Sequence, residues 1–224
     1  MRAAARKGAE PGFAMFDAIF FDLDGTLIDT ESLAMASGLA AFAALGHPVT
    51  EDFLHQLVGV DMPTGGKIIR AALPGLDHDA LQPLWQSGFV AAMEKNGLNL
   101  KSGALDILQA RLLPMALVTS SGRREAHHKL AVAGIADMFD LIITVDDVTA
   151  PKPDPAPYLL AAEKLGVAPA RCLVFEDSET GAEAAHRAGC FVVQVPDVVP
   201  SKGRWAHHLA DNLLAGARQA GLLI

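Results

Sequence analysis

Two aspartates stand two residues apart in Asp22-Leu23-Asp24-Gly25-Thr26-Leu27, directly after an apolar run at 18–21. Residues two apart on an extended segment point the same way, so both carboxylates can face one pocket where a strand ends. Gly25 lets the chain turn sharply at that point. Neighbouring carboxylates repel, and their pairing calls for a cation or a shared proton. Taken alone, the segment reads equally as an Asp-rich turn capping the next helix.

Three further segments change that balance. Val118-Thr119-Ser120-Ser121-Gly122 offers hydroxyls and backbone N–H groups ahead of a helix, the chemistry of a phosphate cradle and also of an ordinary N-cap. Ala150-Pro151-Lys152-Pro153 places a cation in a stretch stiffened by Pro151, Pro153, Pro155 and Pro157, where a solvated loop lysine is the alternative. Glu176-Asp177-Ser178 puts acidic groups after the apolar run 173–175, with Gly181 permitting close backbone approach and helix capping as the competing use. Each segment is ambiguous by itself. Together they put carboxylates, hydroxyls and an ammonium at four successive strand ends.

The elements that must position these residues are short apolar runs at 18–21, 115–118, 141–145, 173–175 and 191–195. They lack polar alternation, as strands buried on both faces do. Between them, 124–133, 157–165 and 180–188 have helical spacing and are closed by Gly134, Gly166 and Gly189. Alternating strand and helix predicts a doubly wound, Rossmann-like α/β parallel sheet. From 30 to 100 the rhythm breaks into helical patterns alone: 32–45, 52–57, 66–72 and 80–93, punctuated by Gly46-His47-Pro48 and Leu73-Pro74-Gly75. An insert leaving after the first strand would stand over the carboxyl end of the sheet, where open α/β folds bind ligands, and so would act as a lid. The expected division is a core of 15–29 and 101–224, an α-helical cap of 30–100, and a flexible tail of 1–14, with Met15 as an alternative first residue.

With 51% apolar and 20% charged residues the 224-residue chain can bury a substantial core. Its formal net charge of -8 argues against binding a nucleic-acid backbone. A small anionic substrate stays open, because a few local positive groups suffice for it. No uncharged apolar run approaches the roughly 18 residues of a membrane span, so no membrane partner and a cytoplasmic location are expected. Cys172 and Cys190, each flanked by apolar residues, read as buried thiols. The adjacent pairs His127-His128 and His207-His208 read as helix positions that diverge and share no metal. Trp85 and Trp205 read as core or domain-contact residues, and Asp61, Lys67 and Arg70 as candidate substrate contacts in the insert. A monomer or weak homodimer is the expected assembly.

With the four segments in this order, and with Glu176-Asp177-Ser178-Glu179-Thr180-Gly181 followed by Ala184-Ala185 and Ala188-Gly189, the chain resembles the haloacid dehalogenase superfamily. Its nearest branch is the one similar to β-phosphoglucomutase and its related phosphatases. The resemblance covers nearly everything after residue 15. It implies that Asp22 attacks phosphorus to form an aspartyl phosphate, and that Asp24 protonates the leaving alkoxide and later deprotonates water. It also implies Mg2+ held by the Asp22 carboxylate, the Asp24 backbone carbonyl and the Asp177 carboxylate, with Glu176 as a further or indirect ligand. Thr119, Ser120 and Lys152 would bind the phosphoryl oxygens.

Departures from the pattern narrow the expectation. The dehalogenases proper lack an acidic residue at the position of Asp24, so phosphoryl transfer is implied instead of halide chemistry. Sugar phosphomutases carry a His in the register of Ala34 and an Arg in the register of Met62, within Gly59-Val60-Asp61-Met62-Pro63; neither is present. Ala156 and Pro151 stand where the family has Asp and Gly, which implies altered loop detail. A phosphatase acting on a small phosphorylated metabolite is therefore expected, with a phosphomutase and a non-catalytic phosphometabolite-binding protein as the rivals.

Overall fold

The computed structural model describes residues 15–58 and 62–222. The expected tail 1–14, Asp61 and most of the 59–63 loop lie outside the described residues, as does the side chain of Met62.

Six strands form one parallel sheet: β1 (Ala18–Phe21), β2 (Met115–Val118), β3 (Leu141–Ile143), β4 (Cys172–Glu176), β5 (Phe191–Gln194) and β6 (His208–Leu209), in the order β3-β2-β1-β4-β5-β6. The strands that read as unbroken apolar runs are those buried on both faces: every residue of β1, β2 and β4 is buried. Successive side chains go to opposite faces, so β1 sends Ile19 and Phe21 into one hydrophobic cluster and Ala18 and Phe20 into another. Helices α5 (Ala104–Ala110), α6 (Arg123–Val132) and α9 (Leu213–Gln219) contribute to the first cluster. Helices α7 (Ala156–Leu165) and α8 (Glu179–Arg187) cover the second. Gly134, Gly166 and Gly189, at the ends of α6, α7 and α8, all have positive φ. The chain runs outward from β1 to β2 and β3, then returns to place β4 on the other side of β1. That reversal makes the β1/β4 boundary a topological switch point, where a crevice opens at the carboxyl ends of the strands.

Register aligns the two strands at this crevice. Phe21 pairs with Phe175, so Asp22 emerges beside Glu176, and the Asp22 N–H donates to the Phe175 carbonyl at 3.0 Å.

Between β1 and α5 lie four helices: α1 (Glu31–Ala44), α2 (Glu51–His55), α3 (Met62–Ala72) and α4 (His78–Asn96). They share a hydrophobic cluster of their own, centred on Phe42, Leu54, Ile69 and Leu81 with Trp85 packed against it. A Cβ on Gly38 would come within 2.5 Å of the Trp85 ring, so the glycine lets α1 and α4 pack closely; the indole N–H of Trp85 also donates to the Ala34 carbonyl. The segments entering and leaving the four helices pair with each other: Asp29 N–H donates to Asn99 and Lys101 N–H to Leu27, both at 2.9 Å.

The C-terminal histidines depart from the helical expectation. His208 lies in the two-residue edge strand β6, while His207 precedes it, accepts the Val192 N–H at 3.0 Å through Nδ1 and stacks on Phe191. So short a strand has no apolar run to announce it. Cys172 and Cys190 are buried free thiols.

Candidate active site

Asp22 lies one residue beyond β1, Glu176 closes β4, and Asp177 follows it. Carboxylate oxygens of all three fall within 4.8 Å of one another. Two glycines make this crowding sterically feasible. A Cβ on Gly25, whose φ is +81°, would meet Asp177 Oδ2 at 2.5 Å, and a Cβ on Gly181 would meet the Glu176 carboxyl at 2.0 Å. Gly181 lies in the first turn of α8, so the Glu176 carboxylate rests against a helix N-terminus, where partial positive charge favours an anion.

Lys152 reaches this cluster from the loop before α7. Its Nζ donates to Asp22 Oδ1 at 2.7 Å, to the Val118 carbonyl at 2.8 Å and to Glu176 Oε1 at 2.5 Å. Tyr158, fully buried on α7, donates its hydroxyl to the same Glu176 oxygen at 2.6 Å. Ser178 donates to the other oxygen of Glu176 at 3.3 Å, and Thr26 to Asp177 Oδ1 at 3.3 Å. Glu176 is thus engaged on both oxygens. Asp22 Oδ2 has no hydrogen bond among the described residues.

The electrostatics follow from three carboxylates sharing one ammonium. Burial, opposed by Lys152 and reinforced by Glu176 and Asp177, holds Asp22 well above the usual carboxylate range. Burial and the charge of Glu176 push Asp177 up to about 7. Burial also raises the phenol of Tyr158, with Glu176 adding to the effect, so it stays a donor. Burial pulls Lys152 down, but Asp22 and Glu176 outweigh it and keep the ammonium charged. Counted formally, the cluster keeps two uncompensated negative charges. Oxygen-only donors and an excess of two negative charges fit a hard divalent cation, whereas His or Cys ligands, which would favour zinc, are absent from this group.

Thr119 is buried at the end of β2, and its Oγ1 accepts the Ser121 N–H at 3.0 Å, so the hydroxyl hydrogen is free to point elsewhere. Ser120 is exposed. Its neighbour Ser121 is the serine that reaches the Asp-x-Asp segment, donating to Asp24 Oδ2 at 2.8 Å. Lys129 on α6 holds Asp24 Oδ1 at 2.8 Å. Neither Lys129 nor Tyr158 is marked as a site residue by the spacing of the sequence. The signal available for Tyr158 was that the chain has a single tyrosine, placed six residues after Lys152. Lys67 and Arg70 are exposed on α3, and no hydrogen bond or ion pair joins them to the acidic cluster among the described residues.

A parallel sheet with an acidic, lysine-bearing cluster at its switch point defines a class of enzymes that bind small anionic ligands at strand ends. The haloacid dehalogenase-like hydrolase family matches over residues 19–195, and the chain belongs to that family. It is 34% identical over 182 residues to the phosphorylated carbohydrates phosphatase of Thermotoga maritima, covering 77% of this chain and 82% of the relative. It is 30% identical over 194 residues to the fructose-1-phosphate phosphatase of Escherichia coli, covering 82% and 98%. Among solved structures, a HAD family hydrolase from Deinococcus radiodurans with bound phosphate and sodium superposes with a TM-score of 0.79 at 28% identity, covering 94% of this chain and 98% of that one. The chain is a hydrolase of this family, and its relatives include phosphatases. No helix among the described residues is long and apolar enough to cross a membrane.

Proposed function

We propose that this hydrolase is a magnesium-dependent phosphatase of small phosphorylated metabolites, sugar phosphates among them, working through an aspartyl phosphate on Asp22. The observation that carries the reading is the placement of Asp22 at the switch point, with one oxygen fixed by Lys152 and the other unengaged. A carboxylate so held presents one oxygen to an incoming phosphorus while its orientation is set by the ammonium. Lys152 also supplies fixed positive charge where a transferring phosphoryl group gathers negative charge. Thr119 and Ser120 offer polar groups to the phosphoryl oxygens from the end of β2.

Asp24 is the acid and base of this reading. It delivers a proton to the leaving alkoxide and takes one from the water that discharges Asp22. Asp22, Asp177 and the Asp24 backbone carbonyl would hold magnesium, with Glu176 acting indirectly because both of its oxygens are already hydrogen-bonded. When bound, the ion neutralises charge on the phosphoryl oxygens. The four-helix insert 30–100 serves as a lid on its paired linkers, excluding bulk water and choosing the leaving group. Relatives named for carbohydrate phosphates support the substrate class, and two buried thiols suit a reducing, cytoplasmic setting.

The test is a panel of sugar phosphates with magnesium or chelator, following both free phosphate and isomerised sugar phosphate. Free phosphate released only with magnesium, and lost in Asp22→Asn, is expected. Full activity in chelator, or isomer formed faster than phosphate, would refute the reading.

A further inference from the structure

Lys129 sits in the middle of α6, a position where helical spacing alone suggests packing. Its ammonium nevertheless has only 6% side-chain exposure and makes three contacts: Asp24 Oδ1 at 2.8 Å, Glu125 Oε1 at 2.5 Å and Ser121 Oγ at 3.1 Å. The Phe89 ring of α4, in the insert, lies 6.0 Å from it. An ammonium has three hydrogens, and here each has an acceptor. That count leaves none for a substrate oxygen, so Lys129 is not a phosphate-binding residue. Its effect must pass through a neighbour.

The neighbour is Asp24, which is only partly buried, with 30% of its side chain exposed. One of its oxygens is held by Lys129 and the other by Ser121, which itself is bonded to Lys129. The closed triangle of Lys129, Ser121 and Asp24 fixes both the χ angles and the plane of the carboxylate. Without the lysine, a side chain that exposed would be pinned at one oxygen only. Burial of an ammonium is costly unless it is fully hydrogen-bonded, and here two carboxylates and a hydroxyl meet that need.

We infer that Lys129 is the positioning residue for Asp24, setting the direction in which that carboxyl delivers its proton to the leaving group. The inference rests on the reading of Asp24 as the general acid. It predicts a dependence on the leaving group that a purely structural lysine would not produce. Alkyl phosphates expel a strongly basic alkoxide and need the proton, whereas p-nitrophenyl phosphate expels a stable phenolate and does not. The parameter to compare is kcat/KM, which ends at formation of the covalent intermediate and so excludes the later attack of water.

Lys129→Met should lower kcat/KM for an alkyl phosphate about tenfold or more, part of the roughly 10²–10⁴ that a placed acid provides, while p-nitrophenyl phosphate changes less than about threefold. Lys129→Arg keeps the charge but moves the donors and should show the same selectivity at smaller size. It carries the comparison if the methionine variant does not fold. Asp24→Asn tests the underlying reading separately, since its kcat/KM should fall far more for the alkyl phosphate than for the aryl ester, whereas the later attack of water is slowed for both. A selective loss in Asp24→Asn together with an equal loss on both substrates in the Lys129 variants would overturn the positioning role alone. No selectivity in Asp24→Asn would overturn the acid assignment, and the inference with it.

Discussion

Replacing Tyr158 with phenylalanine isolates one contact at the base of the acidic cluster. The ring is fully buried, stacks on Phe20 at 6.4 Å and lies 5.1 Å from the Lys152 ammonium, all of which phenylalanine preserves. Only the hydroxyl is lost, and with it the 2.6 Å hydrogen bond to Glu176 Oε1. A hydrogen bond to a charged partner contributes about 1.5–3 kcal/mol. Glu176 is 0% exposed, so water cannot replace the lost donor, and the upper half of that range applies. For a chain of this length, about 2–4 °C accompany each kcal/mol, so Tm should fall by roughly 4–12 °C. Glu176 still accepts from Lys152, so turnover should stay within about tenfold of wild type, one factor of ten being 1.4 kcal/mol. Scanning calorimetry of the chelated protein and steady-state kinetics would measure both. A Tm within 1 °C of wild type, on the order of a few tenths of a kcal/mol, would show that the hydroxyl does not hold Glu176.

Gly181→Ala should be more damaging, because the new Cβ would lie 2.0 Å from the Glu176 carboxyl and drive it off Lys152 and Tyr158. Disrupting a buried charge pair costs about 3–5 kcal/mol, which urea titration would register; a cost below about 1 kcal/mol would contradict the packing described. The metal-free protein should also lose stability as pH rises. Asp177 is raised from 3.8 to about 7 on folding, so the native state binds its proton more tightly than the unfolded chain does. That contribution is present below 3.8 and lost as pH climbs to about 7. Asp22, shifted the same way, adds to the loss. Magnesium should restore most stability at the top of this window, and a chelated Tm that rises across it would contradict the charge balance.

Much of the fold could be read from the chain because its central strands are buried on both faces, leaving apolar runs with sharp ends at Phe21 and Val118. The expected strand 141–145 stops at Ile143 because Thr144 instead caps a 3-10 turn, exchanging hydrogen bonds with Asp147. Asp22, Lys152, Glu176 and Asp177 were legible since each stands at a strand end or in a proline-stiffened loop, where a polar residue has no packing role to hide behind. Lys129 and Tyr158 were not. Both lie inside helices, where spacing reads as packing, and their partners are 105 and 18 residues away. The contact between Ser121 and Asp24 is hidden by the same distance problem, since Ser120 and Ser121 stand side by side in the chain. The two are indistinguishable by type, and only the course of the chain after β2 turns Ser121 toward Asp24.

The central claim is that phosphorus passes through Asp22 before reaching water, and the stereochemical course at phosphorus tests it most directly. A thiophosphate monoester made chiral with two oxygen isotopes would be hydrolysed in water carrying the third, and the configuration of the released thiophosphate determined. Transfer to Asp22 and then to water inverts the centre twice, so net retention is expected. Net inversion would mean that water attacks the substrate directly, and would contradict Asp22 as the nucleophile.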